Sequence, residues 1–397
     1  MVSAAPSRAF LLLVLSGASA MPACAHETAG PGGPPPPEVG AWVTYWDFDR
    51  GRQRLAGAPA PLDDVFFFLA DLGPDGRPGL ARPELPLEAV LGDLRQGGAR
   101  SWLTIVNDRR AGKGTPKVLK DDALVHRILA DPEERAAHRR AIVDLAALHS
   151  FSGVDVDYEN LRAGDRSAFT TFVRELQGDL EARGLRLSVT VQPKRAESRS
   201  DGPGAADWAA LCLVADRLQV MLYNLHNTKT GPGPLTAPGW FGEVLAFARG
   251  QCDPAKVVPV IKVGAMDWGP DGGSDLQHAD VAGLLEAYGA TVEREAEGGT
   301  PFFRYVSGDG AHTVYYEDAE SVLRKVAALR GLGFDRVVLW SLGREDPQLL
   351  PRLLARPGPA PAGSPSGPGS GLGSRARTPA SFVRSARGPR LPTRFLP

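Results

Sequence analysis

Short apolar runs alternate with longer segments of helical period along residues 39–356. Runs rich in β-branched and aromatic residues predict strands, and they lie at residues 40–47, 63–72, 101–108, 151–159, 185–193, 217–224, 256–264 and 335–343. Apolar residues at helical spacing predict the helices between them, near residues 86–97, 121–131, 133–148, 166–183, 205–214, 239–250, 319–332 and 346–355.

This order of elements indicates the α/β class. Strands that alternate with helices are typical of parallel strands joined by helical crossovers. Eight such units in roughly 300 residues predict a (β/α)8 TIM barrel. A doubly wound open sheet is the competing architecture, but the sequence has no Gly-rich phosphate-binding turn after the first strand.

One connection, residues 265–318, is too long for a simple crossover. Its first part has a helical pattern, and its second part predicts two strands, Phe302–Tyr305 and Thr313–Tyr316, around a turn. We expect a small α+β insertion between strand 7 and helix 7. It would stand on the catalytic face of the barrel and form one wall of a cleft.

Both ends of the chain differ from its middle. Residues 1–25 place Arg8 before a short apolar run and predict a signal peptide, with Cys24 leaving open a lipid anchor. Residues 26–38 read as a Pro/Gly linker, and residues 357–397 contain no acidic residue and predict a disordered basic tail. We therefore expect a secreted or envelope-bound protein with no transmembrane span after processing.

Composition narrows the class of partner. The chain has 397 residues, 43% of them hydrophobic and 23% charged, and its net charge is −1. This is ordinary globular composition, and it argues against nucleic acid as a partner. We expect a monomer with two buried free thiols at Cys212 and Cys252, although export would permit a disulfide.

The predicted fourth barrel strand carries three acids at every second position. In "SGVDVDYE", Asp155, Asp157 and Glu159 share one side of the strand, and the residues between them share the other. In a barrel the acids point inward and climb toward the C-terminal mouth, where barrel enzymes place their chemistry. Crowded buried carboxyls must hold shared protons, and a protonated carboxyl is what a general acid requires.

Three motifs in this order resemble glycoside hydrolase family 18, the chitinase family. They are "SGVDVDYE" on predicted strand 4, "QVMLYN" (219–224) on strand 6 and "VVLWSLG" (337–343) on strand 8. The segments "VPVIKVGAMDWG" and "HTVYYEDAESVLRKVAALRGLGFDRVVLWSLG" resemble its bacterial spore-cortex and germination-type branch. The resemblance covers about residues 40–350 and implies a retaining glycosidase of β-linked N-acetylglucosamine polysaccharide, either peptidoglycan or chitin.

The resemblance also implies residue roles. Glu159 would protonate the glycosidic oxygen and then activate water, while Asp157 would orient the substrate's 2-acetamido group for attack on the anomeric carbon. Asp155 would share a proton with Asp157. Tyr223 would hydrogen-bond the acetamido oxygen, and Trp340 would form the floor beneath the sugar. The partner is a polysaccharide with N-acetylated sugars, and the mechanism needs no metal and no cofactor.

Two positions depart from the family pattern. Ser152 and Asn224 stand where the family usually has Asp. These departures leave open a catalytically weak or inactive carbohydrate-binding relative. An endo-glycosidase acting on protein glycans and an envelope structural protein whose tail is the active part are further alternatives.

A second group of residues lies near predicted C-terminal strand ends and could line a sugar cleft. Trp46, Trp268 and Asn107 belong to this group, and so does Asn224, whose amide could donate to a sugar hydroxyl. Aromatic faces cover the C–H face of a sugar while its hydroxyls bond at the rim. Ordinary packing at the rim is the alternative for each of them.

Overall fold

The computed structural model describes residues 36–112 and 116–355. The predicted signal peptide, most of the linker and the basic tail lie outside the described residues. The strands are β1 (Glu38–Thr44), β2 (Asp64–Leu72), β3 (Pro78–Leu80), β4 (Arg100–Arg109), β5 (Gly153–Asp157), β6 (Arg186–Val191), β7 (Arg217–Met221), β8 (Val257–Lys262), β9 (Ala265–Gly269), β10 (Gly272–Leu276), β11 (Glu293–Arg294), β12 (Pro301–Val306), β13 (Ala311–Tyr316) and β14 (Arg336–Trp340).

The α-helices follow most barrel strands. They are α1 (Phe48–Ala56), α2 (Leu87–Gln96), α3 (Asp122–Ala130), α4 (Pro132–Leu148), α5 (Arg166–Glu181), α6 (Trp208–Val214), α7 (Pro238–Gln251), α8 (His278–Tyr288), α9 (Ala319–Gly331) and α10 (Leu349–Leu353). Several helices begin at an acidic N-cap residue. Asp131, for example, accepts from the amides of Glu133 and Glu134 at the start of α4. No helix in the described part of the chain is long and apolar enough to cross a membrane.

Within the described residues the strands close into a barrel of eight parallel strands. The order around the barrel is β1, β2, β4, β5, β6, β7, β8 and β14, and β14 pairs with β1 to complete the ring. The predicted TIM barrel is confirmed. Because the strands are parallel, their C-terminal ends meet at one mouth, and the residues that follow them share one surface.

The barrel has two apolar layers, which follow from the alternation of side chains along each strand. Inward-facing large residues, including Trp42, Phe66, Trp102 and Met221, fill the barrel interior. Outward-facing valines, leucines and phenylalanines pack on the surrounding helices. Polar residues in the interior are therefore surrounded by side chains rather than by water.

An ion cluster closes the N-terminal end of the barrel. Asp64 begins β2 and accepts from Arg100 Nε at 2.8 Å, from Arg217 Nη1 at 2.7 Å and from Trp102 Nε1 at 2.7 Å. Arg217 also lies over the Trp102 ring, 4.8 Å from its centroid. Burial raises the pKa of Asp64, but these hydrogen bonds and charges outweigh it and hold that pKa below its usual value.

The predicted insertion lies between β8 and α9. Among the described residues it forms an antiparallel sheet of five strands, in the order β10, β9, β13, β12 and β11, with α8 between β10 and β11. A fully buried ion pair anchors the insertion to α9. There, Lys325 Nζ lies 2.6 Å from both carboxylate oxygens of Glu317 and donates to Thr300 Oγ1 at 2.8 Å. Every proton of that ammonium has a partner, which offsets the cost of burying it.

Several elements were not predicted, and each lacks the apolar run on which the prediction depended. Helix α1 is mostly polar, and strand β3 has three partly exposed residues. Strands β9 and β10 form a hairpin around "GPDGG", and seven of their ten residues are partly or fully exposed. β11 contains two exposed residues.

Cys212 and Cys252 form a disulfide, so the expectation that both are free thiols is wrong. Cys212 in α6 and Cys252 after α7 have Cα atoms 5.6 Å apart, within the range that a disulfide requires. Both side chains are buried beside the starts of β7 and β8, at the end of the barrel opposite the mouth. The separation of Cys212 and Cys252 along the sequence does not indicate how close they lie in the fold.

Candidate active site

The two sides of β5 have different surroundings. Val154, Val156 and Tyr158 face the helices. Burial lowers the pKa of His138 to about 4, so its ring is neutral; Nδ1 then donates to Gly76 O at 2.7 Å, and Nε2 accepts from the Tyr158 hydroxyl at 2.6 Å. The three acids face the interior and the mouth, as the alternation predicted.

Asp155 is the deepest of the three acids and is fully buried. Thr190 Oγ1 lies 3.0 Å from its Oδ1, Gln219 Nε2 donates to the same oxygen at 3.0 Å, and Thr104 Oγ1 lies 3.2 Å from Oδ2. Burial raises the pKa of Asp155, and these donors oppose that rise. Both carboxylate oxygens therefore have partners within the barrel.

Asp157 lies at the end of β5 and is also buried. Its Oδ1 has no hydrogen-bond partner among the described residues. Burial raises the pKa of Asp157 well above its usual value, and the negative charges of Glu159 and Asp155 raise it further. The site thus contains a carboxyl that favours its protonated form and has an oxygen free to bond something else.

Glu159 follows the end of β5 and is partly exposed. Its backbone is fixed on both sides by Asn107, which accepts from the Glu159 N–H at 3.0 Å and donates to its carbonyl at 2.9 Å. Its side-chain Oε1 lies 2.6 Å from Lys120 Nζ, while Gln192 Nε2 lies 3.5 Å from Oε2. The backbone clamp holds the carboxyl at the mouth of the barrel, where a substrate can reach it.

Tyr223 follows β7 and has a buried phenol ring. Burial raises its pKa well above the usual value, and Asp157, Glu159 and Asp155 add to the shift. The hydroxyl therefore keeps its proton and is a hydrogen-bond donor at neutral pH.

Aromatic rings form one side of the mouth. The Trp340 ring, at the end of β14, makes edge contacts with Trp42 at 5.6 Å, Phe68 at 5.1 Å and Trp46 at 6.4 Å between centroids. Trp46 Nε1 is buried and has no hydrogen-bond partner within the described part of the chain. A partly exposed aromatic wall with a free N–H suits the apolar face and the hydroxyls of a sugar.

These groups surround a cleft of about 280 Å³. Its walls come from six barrel strands, the loop before α3 and the insertion. The lining residues are Tyr45, Trp46, Phe68, Val106, Asn107, Asp108, Leu119, Lys120, Asp157, Glu159, Tyr223, Asp275, Trp340 and Arg344. The insertion contributes Asp275, as expected of a cleft wall. A cavity with an aromatic side and convergent polar groups is typical of a ligand site.

Other predicted site residues lie outside this cleft. Trp268 is buried against Leu235 and Met266 in the insertion, where its Nε1 donates to Asn227 O at 3.0 Å. Asn224 is exposed, with a left-handed backbone of φ 66°. Ser152 begins the turn into β5, where its Oγ accepts from the Ser101 N–H at 3.1 Å. Ser152 therefore lies at the N-terminal end of β5, away from the mouth of the barrel.

Four charged residues in the cleft were missed: Asp108 ends the predicted strand at 101–108, and the other three lie outside the predicted strands. Lys120 lies in a loop without a motif, Asp275 lies in an unpredicted strand, and Arg344 follows the "LWSLG" motif by one residue. Arg344 and Lys262 both contact Asp275, with Lys262 Nζ 2.6 Å from Asp275 Oδ1. Arg344 and Asp108 each had a sequence signal, because they lie just after predicted strand 8 and at the end of predicted strand 3.

Comparisons with known proteins agree with this geometry. The model of the family "Glycosyl hydrolases family 18" matches residues 122–345, which is more than half of the chain. The cortical fragment-lytic enzyme of Bacillus subtilis (strain 168) is 26% identical over 237 residues, or 57% of this chain and 54% of that enzyme. The chain thus spans about half the length of that relative.

Solved structures give the same result. A chitinase from Chromobacterium violaceum ATCC 12472 superposes with a TM-score of 0.71 at 25% identity, covering 80% of this chain and 98% of that one. The Bacillus cereus spore cortex-lytic enzyme SleL has the same fold, with a TM-score of 0.71 at 21% identity over 81% of this chain and 75% of that one.

Proposed function

Because the chain belongs to glycosyl hydrolase family 18 and is a glycoside hydrolase, we propose that it is an exported, retaining enzyme that cleaves β-linked N-acetylglucosamine polysaccharide with help from the substrate's own acetamido group. One observation carries the proposal: Glu159 at the cleft mouth stands two residues beyond a buried Asp157 whose Oδ1 lacks a partner among the described residues.

In the first step Glu159 donates a proton to the glycosidic oxygen, and the bond to the anomeric carbon breaks. The acetamido oxygen of the sugar attacks that carbon, and the Asp157 carboxyl holds the acetamido N–H through its free oxygen. The Tyr223 hydroxyl donates to the acetamido oxygen. Trp340 supports the apolar face of the ring.

In the second step Glu159, now ionised, takes a proton from water as that water attacks the anomeric carbon. Two attacks on opposite faces retain the β configuration. The raised pKa of Asp157 supports a proton held on this residue, and the donors around Asp155 suit it as the acceptor of the pair. Asp155 therefore shares the proton that Asp157 holds, while its own carboxylate stays hydrogen-bonded to Thr190 and Gln219.

The relatives support a polysaccharide as the polymer that is cleaved. Cortical fragment-lytic enzymes of Bacillus subtilis, Bacillus anthracis and Bacillus cereus are 21–26% identical to this chain. Peptidoglycan glycan strands and chitin both supply a β-linked N-acetylglucosamine on the non-leaving side of the bond. The disulfide between Cys212 and Cys252 supports action outside the cytosol, since disulfides persist in oxidising compartments.

The test compares wild type with Glu159→Gln on N-acetylated oligosaccharides and on purified glycan strands. Loss of the proton donor should lower kcat by about a hundredfold or more, while the melting temperature stays close to that of wild type. Glu181→Gln, an exposed change at the end of α5, is the matched control and should keep wild-type activity. Equal activity of wild type and Glu159→Gln, or no activity of wild type on any of these glycans, contradicts the proposal.

A further inference from the structure

A lysine lies against the carboxyl that we assign as proton donor. Lys120 Nζ is 2.6 Å from Glu159 Oε1, and the two side chains are 40% and 20% exposed. Lys120 belongs to the loop before α3, and it lines the cleft. The two-step reaction described above assigns no task to this ammonium.

The loop places Lys120 there in an uncommon backbone conformation. Its φ is 53°, in the left-handed region of backbone conformation that residues other than glycine rarely adopt. The Lys120 N–H donates to Asp108 Oδ1 at 2.9 Å, which fixes this turn. Lys117 of the same loop donates to the hydroxyl of Tyr45, another cleft residue, at 2.9 Å. The loop therefore places Lys120 in the cleft and Lys117 against one of the residues that line it.

The reaction removes the partner of Lys120. When Glu159 carries the proton that it will donate, it no longer offers a negative charge to the ammonium beside it. An unpaired cation in a partly desolvated cleft is unfavourable. A negative group on the substrate, placed beside the glycosidic oxygen, would replace the lost charge at the moment of proton transfer.

Substrate chemistry supplies such a group at that place in one of the two polymers. In peptidoglycan the leaving sugar bears a lactyl ether on the oxygen next to its glycosidic oxygen, so the lactyl carboxyl lies near the proton donor. Chitin has only a hydroxyl there. A lysine ammonium on a flexible four-carbon chain suits a single carboxylate whose exact position varies.

We propose that Lys120 binds a free carboxylate on the leaving sugar, and that the substrate class is peptidoglycan glycan strand whose lactyl group carries no peptide. This inference rests on the proposed function. An amide bond to a peptide would remove the charge that Lys120 binds. A reaction that hydrolyses this amide must therefore act on the strand before the present enzyme does.

The test uses two glycan-strand oligosaccharides of equal length, one with free lactyl carboxylates and the other with the same groups as methyl amides. Wild type should have a kcat/KM about tenfold or more higher on the acid, the size expected of a hydrogen bond to a charged group. Lys120→Gln should bring the ratio of the two kcat/KM values close to one. Lys120→Arg, which keeps the charge, should retain most of the preference.

Lys229→Gln is the matched control, because Lys229 is an exposed lysine outside the cleft lining. It should keep the wild-type ratio. A ratio that is equal in wild type and Lys120→Gln overturns the inference, even if both rates fall together, since that pattern means that Lys120 only positions Glu159. Absence of hydrolysis of both oligosaccharides and of chitin fragments by wild type overturns the proposed function itself.

Discussion

Two aspartates, both buried inside the barrel, behave in opposite ways. Asp64 at the N-terminal end is 3% exposed and Asp157 near the mouth is 5% exposed. Arg100 and Arg217 contact Asp64 directly, and its pKa is lowered. Asp157 has a raised pKa and an oxygen without a partner among the described residues. Burial alone therefore does not set the state of a carboxyl in this barrel, because its neighbours decide it.

The difference separates stability from function. A buried charge whose bonds are all made within the protein holds elements together, and the three strands that begin with Asp64, Arg100 and Arg217 are joined in this way. A buried group with an unmade bond costs stability and is kept where a ligand completes it. The buried ion cluster at the N-terminal end of the barrel thus stabilises the fold, and we propose that the mouth is where the reaction takes place.

Replacing each aspartate by asparagine should have unequal effects on the free energy of unfolding. Asp64→Asn leaves the buried Arg217 guanidinium without its anion, and we expect it to lower the free energy of unfolding by about 3–5 kcal/mol at pH 7. Asp157→Asn should cost less than about 1 kcal/mol or stabilise the protein, since it removes a carboxyl that is unfavourable to ionise. Urea unfolding of both variants measures the difference.

The pH dependence sharpens this contrast, and the signs are opposite. Because the pKa of Asp64 is lowered by folding, Asp64 stabilises the protein at pH values above its pKa in the unfolded chain, about 3.9. That stabilisation is lost as the pH falls through the pKa of Asp64 in the folded protein. A raised pKa means that Asp157 costs stability as pH rises from about 4 toward its folded value. The loss of unfolding free energy in Asp64→Asn should therefore become smaller at low pH. Any gain of unfolding free energy in Asp157→Asn should become larger as the pH rises toward 7. Equal losses in the two variants at pH 7 would contradict the comparison.

Removing the disulfide at the N-terminal end of the barrel should have a smaller effect on the free energy of unfolding than Asp64→Asn. Replacing both Cys212 and Cys252 by Ala opens a crosslink between residues 40 positions apart, and it should lower the free energy of unfolding by about 3–4 kcal/mol by the chain-entropy estimate. The kcat/KM on glycans should stay at the wild-type value, because the crosslink lies beside the starts of β7 and β8. Reducing the wild type with dithiothreitol is the control. A large loss of activity in the folded variant would mean that the two ends are coupled.

Periodicity was sufficient to predict the barrel and the position of its acids. The alternation in "GVDVDYE" predicts that Asp155 and Asp157 lie inside the barrel, because successive side chains of a strand point to opposite sides. The motif at 337–343 likewise led to Trp340 at the mouth.

What the sequence could not predict depends on contacts distant in the chain. Trp268 lies near a strand end yet packs within the insertion, because β9 turns away from the barrel to pair with β13. Lys120 reaches Glu159 through a loop whose turn depends on Asp108. The Cys212–Cys252 bond requires the spacing of two helices. None of these contacts leaves a periodic signal in the sequence.

The anomeric form of the first product tests the central claim most directly. That claim is that Asp157, whose Oδ1 has no partner among the described residues, and the proton donor Glu159 serve an attack by the substrate's acetamido group. Proton NMR during the first minutes of hydrolysis of an N-acetylated oligosaccharide distinguishes the two anomers of the new reducing end before they interconvert. Attack by the acetamido group predicts the β-anomer. An initial α-anomer would mean direct attack by water, and it would contradict the roles proposed for both carboxyls.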